Sequence, residues 1–419
     1  MKEPFFDVVV AGGGPAGVFA AVAAARSGVT VLLVEREQGL GGNVRAAHVH
    51  SICGLYRITD GGAPSPVHGR LAGEFLDRLR ARDGACGPQR FGKLDILLQE
   101  PEIFSRVCRE WIADTPGIEL CCASRITGAA MDNRAVRQVE IESAGGRRLV
   151  GAGAVVEATG DGNLAAAGGL GWSCAPRDLL QRPAFIFGMG PVSSEALQAG
   201  ARLALSGLIL RAVREGRLPE AALSAVVRPT CLADMLRVTL DLGAGGAAYD
   251  PCDERQVARL TEEARVLALE LAEFLRKEAE GFAAAQIRTL PDRIGIRESR
   301  RVTGRTTVTA EDVLGGNVPE DAVCWSAWPV ELHEAGGGMR LVYPRADAPC
   351  AVPLGALRSR DADNVFLAGR CLSATHEAQA ALRVIGTSFG TGQAAGMGAA
   401  CVAAGGEPDP KVIREACSP

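Results

Sequence analysis

The sequence has few aromatic residues, few histidines and no long apolar run. Aromatic side chains make up only 5% of its 419 residues, and there are five histidines, which leaves few candidate proton carriers. No stretch approaches 18 uninterrupted apolar residues, so we expect no membrane-spanning helix. Lys and Arg (45) do not outnumber Asp and Glu (49), and the resulting net charge of −4 argues against a protein that coats nucleic acid.

The thirteen cysteines lack the spacing of a metal site or a redox pair. They are scattered, odd in number and contain no CxxC pair. A secreted disulfide scaffold would be shorter and evenly paired. Charged residues and five glycines interrupt the apolar start of the chain, so residues 1–35 do not read as a signal peptide. We therefore expect free thiols, no metal site and a cytoplasmic location.

The start of the chain, by contrast, carries a nucleotide-binding pattern. The run FDVVVA at 6–11 is typical of a strand buried on both faces. Residues 12–17 follow at once with the spacing G-x-G-x-x-G, and an Ala-rich helical pattern then ends at Gly28. A second buried strand pattern ends in an acid, Glu35. All parts of a βαβ nucleotide-binding unit thus occur in order.

Each part has a physical role in binding a dinucleotide. Gly12 permits the tight turn, Gly14 lets a pyrophosphate approach the backbone, and Gly17 lets the helix pack close to the sheet. The helix N-terminus, with Pro15 and Ala16, offers N–H groups and a positive dipole end to the phosphates. Glu35 can bind the ribose hydroxyls and would repel a 2′-phosphate, which disfavours NADP.

Later segments favour FAD over NAD. A glycine-rich loop, GLGGN, occupies 39–43, where an NAD domain would usually continue with its next βα unit. The segment AVVEATGDG at 154–162 predicts a buried strand that ends in small residues at the ligand edge of the sheet. A third strand pattern, NVFLAGR at 364–370, precedes IGTSFGTG at 385–392 and a predicted helix over 393–404. A helix that begins there would stabilise an anionic reduced flavin.

With these motifs the sequence resembles FAD-dependent oxidoreductases of the glutathione-reductase-like superfamily, distant kin of fumarate reductase and succinate dehydrogenase flavoproteins. The matching segments span nearly the whole chain: VVVAGGGPAGVFAA (8–21), EREQGLGGN (35–43), LQEPEIF (98–104), EATGDGNLAAAGG (157–169), RESRRVTGRTTVTAEDV (297–313), WPVELH (328–333) and NVFLAGRCLSATHEAQAALRVIGTSFGTGQAAG (364–396). The resemblance implies an FAD held by residues from both ends of the chain.

The motifs and the resemblance together single out a set of cofactor residues. They are Gly12, Gly14, Pro15, Ala16, Gly17, Glu35, Arg36, Gly41, Gly42, Asn43, Ile126, Thr159, Gly160, Asp161, Gly369, Arg370, Gly386, Thr387 and Ser388. We expect an α/β fold, with a Rossmann-like FAD-binding domain built on a parallel sheet and an inserted α+β cap or substrate domain.

The predicted domain boundaries place the cap at 171–350, between two parts of the FAD-binding domain at 1–170 and 351–419. Helical patterns at 193–215 and 253–284 suit cap helices, and the active site is expected at the domain interface. No second G-x-G-x-x-G lies between a strand and a helix, because the glycines of 243–247 lack a preceding strand pattern. We therefore expect no NAD(P)H domain.

Flavin catalysis requires a residue that transfers a proton and a residue that binds the substrate. The candidates are His376 in the loop before the last helix, His333 in WPVELH, and the arginines Arg383 and Arg300. In the fumarate reductase kin, a His and an Arg near the last motif bind substrate carboxylates; His376 and Arg383 lie there, with different spacing. Each candidate also has a structural alternative: a loop hydrogen bond, a phosphate contact or a salt-bridge network between cap and FAD domain.

The segment that follows the glycine-rich loop contains three residues that could face the flavin: His48, His50 and Cys53. One histidine could carry a covalent flavin bond, as in the fumarate reductase kin, although the spacing differs. Ordinary positioning is the alternative. Cys371 has no partner cysteine in the spacing of a dithiol relay.

We predict an FAD-dependent oxidoreductase that transfers a hydride between flavin N5 and a small metabolite, neutral or anionic, by C–H dehydrogenation or C=C reduction. The electron acceptor, O2 or a redox partner, is left open, as is the oligomeric state, a homo-oligomer included. No nucleic acid or membrane is expected as a partner. Three other functions stay open: an NAD(P)H-driven flavin monooxygenase or halogenase, a flavoprotein subunit of a larger complex, and a flavin-binding sensor.

Overall fold

The structure is a computed structural model that describes residues 3–243, 249–334, 338–345 and 348–419. Its strands are β1 (Phe5–Ala11), β2 (Val31–Val34), β3 (Ser51–Ile52), β4 (Ala85–Phe91), β5 (Leu94–Gln99), β6 (Ile118–Cys121), β7 (Ser124–Asp132), β8 (Ala135–Ser143), β9 (Gly146–Glu157), β10 (Trp172–Ser173), β11 (Ala184–Gly190), β12 (Val226–Pro229), β13 (Leu236–Asp241), β14 (Gln286–Thr289), β15 (Arg301–Val302), β16 (Ala322–Ser326), β17 (Val330–Leu332), β18 (Arg340–Val342), β19 (Cys350–Pro353) and β20 (Val365–Leu367).

The α-helices are α1 (Pro15–Arg26), α2 (Asn43–Ala46), α3 (Arg70–Arg80), α4 (Pro101–Ala113), α5 (Asn163–Ala167), α6 (Ala199–Arg214), α7 (Glu254–Glu278), α8 (Ala310–Gly315), α9 (His376–Leu382), α10 (Ile385–Ala403) and α11 (Pro410–Cys417). Within the ranges that the structure describes, no helix is long and apolar enough to cross a lipid bilayer.

The central sheet joins both ends of the chain. Its order is β6-β2-β1-β9-β8-β7, and β20 also pairs with β9. The pairs β1–β2, β1–β9, β2–β6 and β9–β20 are parallel, while β7–β8 and β8–β9 are antiparallel. Val8, Val9 and Val10 of β1 are completely buried, as expected for a strand covered on both faces. The predicted α/β class with a Rossmann-like parallel sheet is confirmed.

Helices α1 and α10 pack unusually close together. A Cβ atom added to Gly392 would lie 2.2 Å from the carbonyl oxygen of Ala16, and one on Gly396 would lie 2.2 Å from that of Ala20. Only glycine permits this backbone approach. Gly392 and Gly396 are one turn apart on α10 and meet Ala16 and Ala20, which are one turn apart on α1, so the two helices run in the same direction. The first turns of both helices line one cavity.

The cap is built around a separate four-stranded antiparallel sheet of order β12-β13-β11-β14. Helix α7 packs on it through apolar residues at helical spacing, among them Leu260, Leu267, Leu271 and Leu275. Asp253 caps this helix by accepting from two backbone N–H groups of its first turn. The core residues of this unit fall between 185 and 294.

The core residues between 308 and 352 instead pack in the same cluster as α1 and α10. The boundaries 1–170, 171–350 and 351–419 stay a prediction. A separate three-stranded sheet has the order β3-β5-β4, and its residues Ile52 and Leu97 belong to the same core.

Three local expectations were wrong. Helix α10 begins at Ile385, not at 393, so the IGTSFGTG motif forms its first turns. Strand β13 does precede Gly243, but it belongs to the antiparallel cap sheet; residues 244–247 lie outside the described residues.

The third error concerns the cysteines. Cys86 on β4 and Cys231 after β12 form a disulfide across 145 residues, with a Cα–Cα distance of 5.5 Å, and the other eleven cysteines are free. Cysteines so far apart in sequence give no local signal of pairing. The disulfide ties the β3-β5-β4 sheet to the cap.

Candidate functional site

One large cavity lies between the central sheet, the three-stranded sheet and the cap. Its volume is about 530 Å³. It runs from the turn after β1 to the ends of cap strand β13 and of β17, and the first turns of α1 and α10 reach it. The site can be described from three walls: a nucleotide end, a charged wall in the cap and an apolar wall.

The turn after β1 has the geometry that a phosphate-binding loop needs. Gly12 has φ +100°, and a Cβ atom there would lie 2.5 Å from the carbonyl oxygen of Ala158. At Gly14 an added Cβ would meet nothing closer than the Cα atom of Gly42, at 3.9 Å. The backbones of Gly14 and Gly42 thus lie close together, and both residues line the cavity beside the first turn of α1, where a pyrophosphate can approach the backbone.

Glu35 stands at the nucleotide end of the cavity. Its Oε2 accepts from Gly13 N at 2.6 Å, and its Oε1 accepts from Glu37 N at 2.8 Å. Burial raises the pKa of this carboxyl, while the two backbone hydrogen bonds oppose the rise. The two bonds fix the carboxylate beside the loop, in the position expected for a group that binds ribose hydroxyls.

Three guanidinium groups line the cavity around one buried carboxylate. Arg370 Nη2 donates to Asp161 Oδ1 at 2.6 Å, and Arg36 Nη1 lies 3.8 Å from Asp161 Oδ2. Burial disfavours the charged form of Asp161, but Arg370, Arg36 and Arg293 outweigh it and hold its pKa below the usual value. The carboxylate thus positions cations along the groove.

Two further observations indicate that the residues of this groove fit an FAD. Asn43 lines the cavity, and its buried Oδ1 has no hydrogen-bond partner among the described residues, while its Nδ2 donates to Ile296 O at 2.9 Å. Arg293 likewise has two buried nitrogens, Nε and Nη1, without a partner in the described ranges. An unsatisfied acceptor and unsatisfied cationic donors suit the hydroxyls and phosphates of a dinucleotide.

The charged wall of the cap centres on His333. Its Nδ1 lies 2.8 Å from Asp241 Oδ2, and its Nε2 lies 2.8 Å from Glu331 Oε1. Burial disfavours both charged carboxylates, but Arg297 and His333 hold the pKa of Asp241 well below its usual value, and His333 and Arg383 do so for Glu331. The two carboxylates therefore hold the imidazole in one orientation through both of its ring nitrogens.

Arginines surround this wall. Arg297 Nη2 donates to Asp241 Oδ1 at 2.6 Å, and Arg383 Nη2 donates to Glu331 O at 3.1 Å. The Nε of Arg383 is buried without a partner in the described part of the chain, and burial lowers the pKa of this guanidinium. Arg228 also lines the cavity, with its guanidinium 5.7 Å from the centre of the Phe91 ring.

The third wall is apolar. Its side chains come from β4, β5 and the β17–β18 region, and they include Phe91, Leu94, Ile96, Trp328, Leu341 and Tyr343. Several of them form one hydrophobic cluster with Cys86 and Cys231, so the disulfide lies directly behind this wall. The cavity can therefore take a ligand with an apolar body and a polar end.

Most of the cofactor residues predicted from the sequence line the cavity. They are Gly12, Gly14, Pro15, Ala16, Glu35, Arg36, Gly42, Asn43, Ile126, Thr159, Gly160, Gly369, Arg370 and Ser388. The structure therefore brings together residues from both ends of the chain, as the resemblance implied. Their contact with the cofactor stays a prediction.

Five others lie behind the wall. A Cβ on Gly17 would lie 1.7 Å from Gly12 O, which is the helix–sheet packing role expected of it. Gly41 N donates to Gly13 O at 2.8 Å, and Gly386 N to Cys53 O at 2.9 Å. Thr387 is buried with its hydroxyl 2.8 Å from that of Ser326, and Asp161 sits behind Arg370.

Of the four predicted catalytic residues, His333 and Arg383 line the cavity and the other two do not. His376 Nδ1 is 2.9 Å from the buried carboxylate of Glu298, and its Nε2 is 3.3 Å from Glu334. Burial opposes protonation of His376, but Glu298 and Glu334 outweigh it and raise its pKa. Arg300 Nη1 donates to Asp161 O at 3.1 Å and to Asn163 Oδ1 at 3.2 Å. Catalytic roles for His376 and Arg300 stay predictions.

Among the residues after the glycine-rich loop, His50 and Cys53 line the cavity and His48 does not. Burial, with Arg237 and Arg228 nearby, lowers the pKa of His50 to about 3, so the ring is neutral. Burial likewise raises the pKa of Cys53 to about 12, which keeps it a thiol. The structure does not test a covalent flavin bond.

Sequence reasoning missed Asp241, Glu331, Arg293 and Arg228. A signal existed for Glu331, because it precedes His333 by two residues and alternate residues of an extended segment share a side. Asp241 ends a strand that was not recognised. Arg293 and Arg228 lie in segments without any motif, and only the tertiary fold brings them to the cavity.

The chain is similar to known proteins in sequence and in fold. Digeranylgeranylglycerophospholipid reductase of Methanoculleus marisnigri is 30% identical over 160 residues, which is 37% of this chain and 38% of that protein. The match thus spans well under half of that relative. The structure of BexE, from studies of oxidation during BE-7585A biosynthesis, aligns with a TM-score of 0.50 at 16% identity over 97% of this chain and 63% of that one, which is a likeness of fold.

A structure of p-nitrophenol 4-monooxygenase PnpA from Pseudomonas putida DLL-E4 aligns at a TM-score of 0.49 and 17% identity, over 99% of this chain and 84% of that chain. The family model described as FAD dependent oxidoreductase matches residues 7–414, nearly the whole length. The chain belongs to the FAD-dependent oxidoreductase family, and it is an enzyme whose cofactor is FAD.

Proposed function

We propose that this enzyme transfers a hydride between FAD and a small molecule that has an apolar body and one polar or anionic end. The observation that carries the proposal is the placement of His333, between two carboxylates, in the same cavity as the phosphate-binding loop. When bound, FAD takes up or gives the hydride at its N5 atom.

Hydride transfer is accompanied by a proton, and the charged wall of the cap has groups that can hold it. Removal of a hydride from a C–H bond next to a hydroxyl or amine also releases a proton, and reduction of a C=C bond consumes one. His333 and the two carboxylates that it contacts, Asp241 and Glu331, form a group on the cavity wall that can hold this proton. The two carboxylates also fix the plane of the ring, so they are positioning residues for His333.

The arginines suit a substrate anion. Arg383 carries a buried, unpartnered Nε at the cavity wall, and no carboxylate pairs with Arg228 among the described residues. A guanidinium binds a carboxylate with two parallel hydrogen bonds and excludes water from it. Phe91, Trp328 and Tyr343 line the apolar wall that would cover the rest of the substrate.

An anaerobic screen tests this function. FAD-saturated protein is mixed with hydroxy acids, amino acids, aromatic alcohols and enoates, and the absorbance near 450 nm is followed; for the reverse direction, dithionite-reduced protein is mixed with the enoates and reoxidation is followed. We expect one chemical class with an apolar body and an anionic or polar end to change the flavin spectrum. Rapid reduction by NADPH alone, with a product that has gained oxygen or halogen, would instead indicate a monooxygenase or halogenase.

Flavin that no compound in the screen and no nicotinamide reduces or reoxidises would contradict the proposal. A chain that purifies from untreated lysate only as a stable hetero-complex, with activity in that complex alone, would favour the reading as a subunit of a larger assembly. A cytoplasmic location stays part of the proposal, and cell fractionation with an antibody tests it.

A further inference from the structure

A short segment of the cap, residues 292–297, forms part of the wall of the cofactor groove. Arg293, Ile296 and Arg297 of this segment line the cavity together with the glycine-rich turn after β1. The segment is fixed against α2: Arg293 N donates to Ala46 O at 3.0 Å, and Asn43 Nδ2 donates to Ile296 O at 2.9 Å. The cap backbone and the FAD-binding loop are thus joined by direct hydrogen bonds.

Two of the three guanidinium nitrogens of Arg293 are buried without a hydrogen-bond partner in the described part of the chain. Its Nε and Nη1 atoms are shielded from solvent, and neither makes a hydrogen bond within the described ranges. Burial, with help from Arg36 and Arg370, lowers the pKa of Arg293 to about 10, still far above neutrality. A cation that is desolvated and unpaired is costly to keep, and an anionic ligand would remove that cost.

The surroundings of Arg293 indicate where the anion would lie. Arg293 interacts with Asp161, the carboxylate that also holds Arg370 and Arg36, so the three cations form one group. Arg370 follows Gly369, where an added Cβ would lie 2.9 Å from the Cβ of Ala16 in the first turn of α1. The group therefore stands beside the helix N-terminus that a dinucleotide's phosphates approach.

We propose that Arg293 is a diphosphate-binding residue, which donates from Nε and Nη1 to the pyrophosphate of FAD, so that the cap shares in holding the cofactor. The two nitrogens donate in different directions, and a pyrophosphate offers several anionic oxygens, so each nitrogen can meet a separate one. Asp161 acts behind this contact as a positioning residue for the cations. Neither the G-x-G-x-x-G motif nor the family match assigns a role to this residue.

The test measures cofactor binding and needs no substrate. The full-length chain is freed of flavin and titrated with FAD, and the quenching of flavin fluorescence gives the dissociation constant. Arg293→Ala should weaken FAD binding about 10- to 100-fold, as expected for loss of a charge-assisted hydrogen bond. Arg293→Lys keeps the charge but has only one donor nitrogen, so it should lose only part of the affinity for FAD. Arg259→Ala, which removes an exposed arginine of α7, is the matched control and should bind as the wild type does.

The salt dependence separates a phosphate contact from a purely structural role. Between about 0.05 and 0.5 M NaCl, FAD affinity should fall less steeply in Arg293→Ala than in the wild type, because one cation–phosphate interaction is missing. Arg293→Ala with FAD affinity within about twofold of the wild type would overturn the proposal. So would a weakened affinity with an unchanged salt slope. Both readouts stand whether or not the proposed hydride transfer is correct.

Discussion

Nδ1 of His333 lies 2.8 Å from Oδ2 of Asp241, although the two residues are 92 positions apart in the chain. Asp241 ends a strand of the cap sheet, whereas His333 follows β17, whose core residues pack with the FAD-binding part. The contact therefore crosses between the two hydrophobic cores. It places a histidine with two carboxylate partners on the wall of the cavity that the glycine-rich turn after β1 also lines.

The first prediction concerns this histidine. His333→Gln should keep FAD but slow anaerobic reduction of the flavin by its substrate about 10²- to 10⁴-fold, the range expected for loss of a proton-transferring group. Stopped-flow absorbance near 450 nm measures the rate. His376→Gln, which lies off the cavity wall, is the control and should be far less affected; equal effects of the two substitutions would refute the assignment of His333.

The second prediction concerns the ribose end. Glu35→Arg should abolish stoichiometric FAD, because it removes a carboxylate held by two backbone N–H groups and introduces a cation in a buried position. The flavin-to-protein absorbance ratio after gel filtration measures this, and circular dichroism checks folding. Glu119→Arg reverses an exposed charge on β6 of the same sheet and should retain FAD. If Glu35→Arg also kept a full complement of FAD, Glu35 would not be a ribose ligand.

The third prediction concerns pH and His376. Glu298 and Glu334 raise its pKa above the ordinary value near 6.5, despite burial. Its stabilising effect should therefore be complete below about pH 6.5 and fade as the pH rises through the folded-state pKa. Relative to the wild type, His376→Gln should lose about 1–2 kcal/mol of unfolding free energy at pH 6 and less at pH 9. Urea titrations at both values measure it; a loss that is the same at both would show that the imidazolium contributes nothing.

The fourth prediction concerns the disulfide. Thiol titration of the unfolded, unreduced chain should find eleven free thiols of the thirteen cysteines. Replacing both Cys86 and Cys231 by serine should lower the unfolding free energy by about 2–5 kcal/mol, because the bond closes a long loop. Cys401→Ser, at a free cysteine, should have little effect. Thirteen free thiols in freshly purified protein would mean that the pair is not oxidised.

The fifth prediction concerns the contact of α1 with α10. Gly392→Ala should destabilise the protein by about 1–3 kcal/mol and weaken FAD binding, because the new methyl group would meet the backbone of Ala16. Gly207→Ala in α6 is the matched change, since its added Cβ has no atom closer than 3.9 Å. It should be neutral or stabilising by up to about 1 kcal/mol through helix propensity. Thermal unfolding with and without FAD separates the two, and destabilisation by Gly207→Ala alone would contradict the close packing described.

The sequence was most informative where the chemistry is local. The turn at Gly12, the helix after it and the acid at Glu35 are contiguous, so each can be read from its neighbours. The start of α10 was misplaced because IGTSFGTG is rich in poor helix formers, yet packing against α1 makes it helical. Tertiary context thus overrode the local preference.

Contacts between distant segments were beyond prediction. The pairing of Cys86 with Cys231 and of His333 with Asp241 depends on how the cap folds back on the FAD-binding part. Arg293 carries no motif, and its unpaired nitrogens are visible only once the groove is assembled. Such residues are found by asking which buried polar atoms lack partners.

The most direct test of the account is a crystal structure of the full chain with FAD. The account predicts cofactor density that runs from Glu35, past Gly14 and Arg293, to the cavity wall that carries His333. A groove closed by side chains, or FAD bound elsewhere with His333 remote from it, would contradict the account.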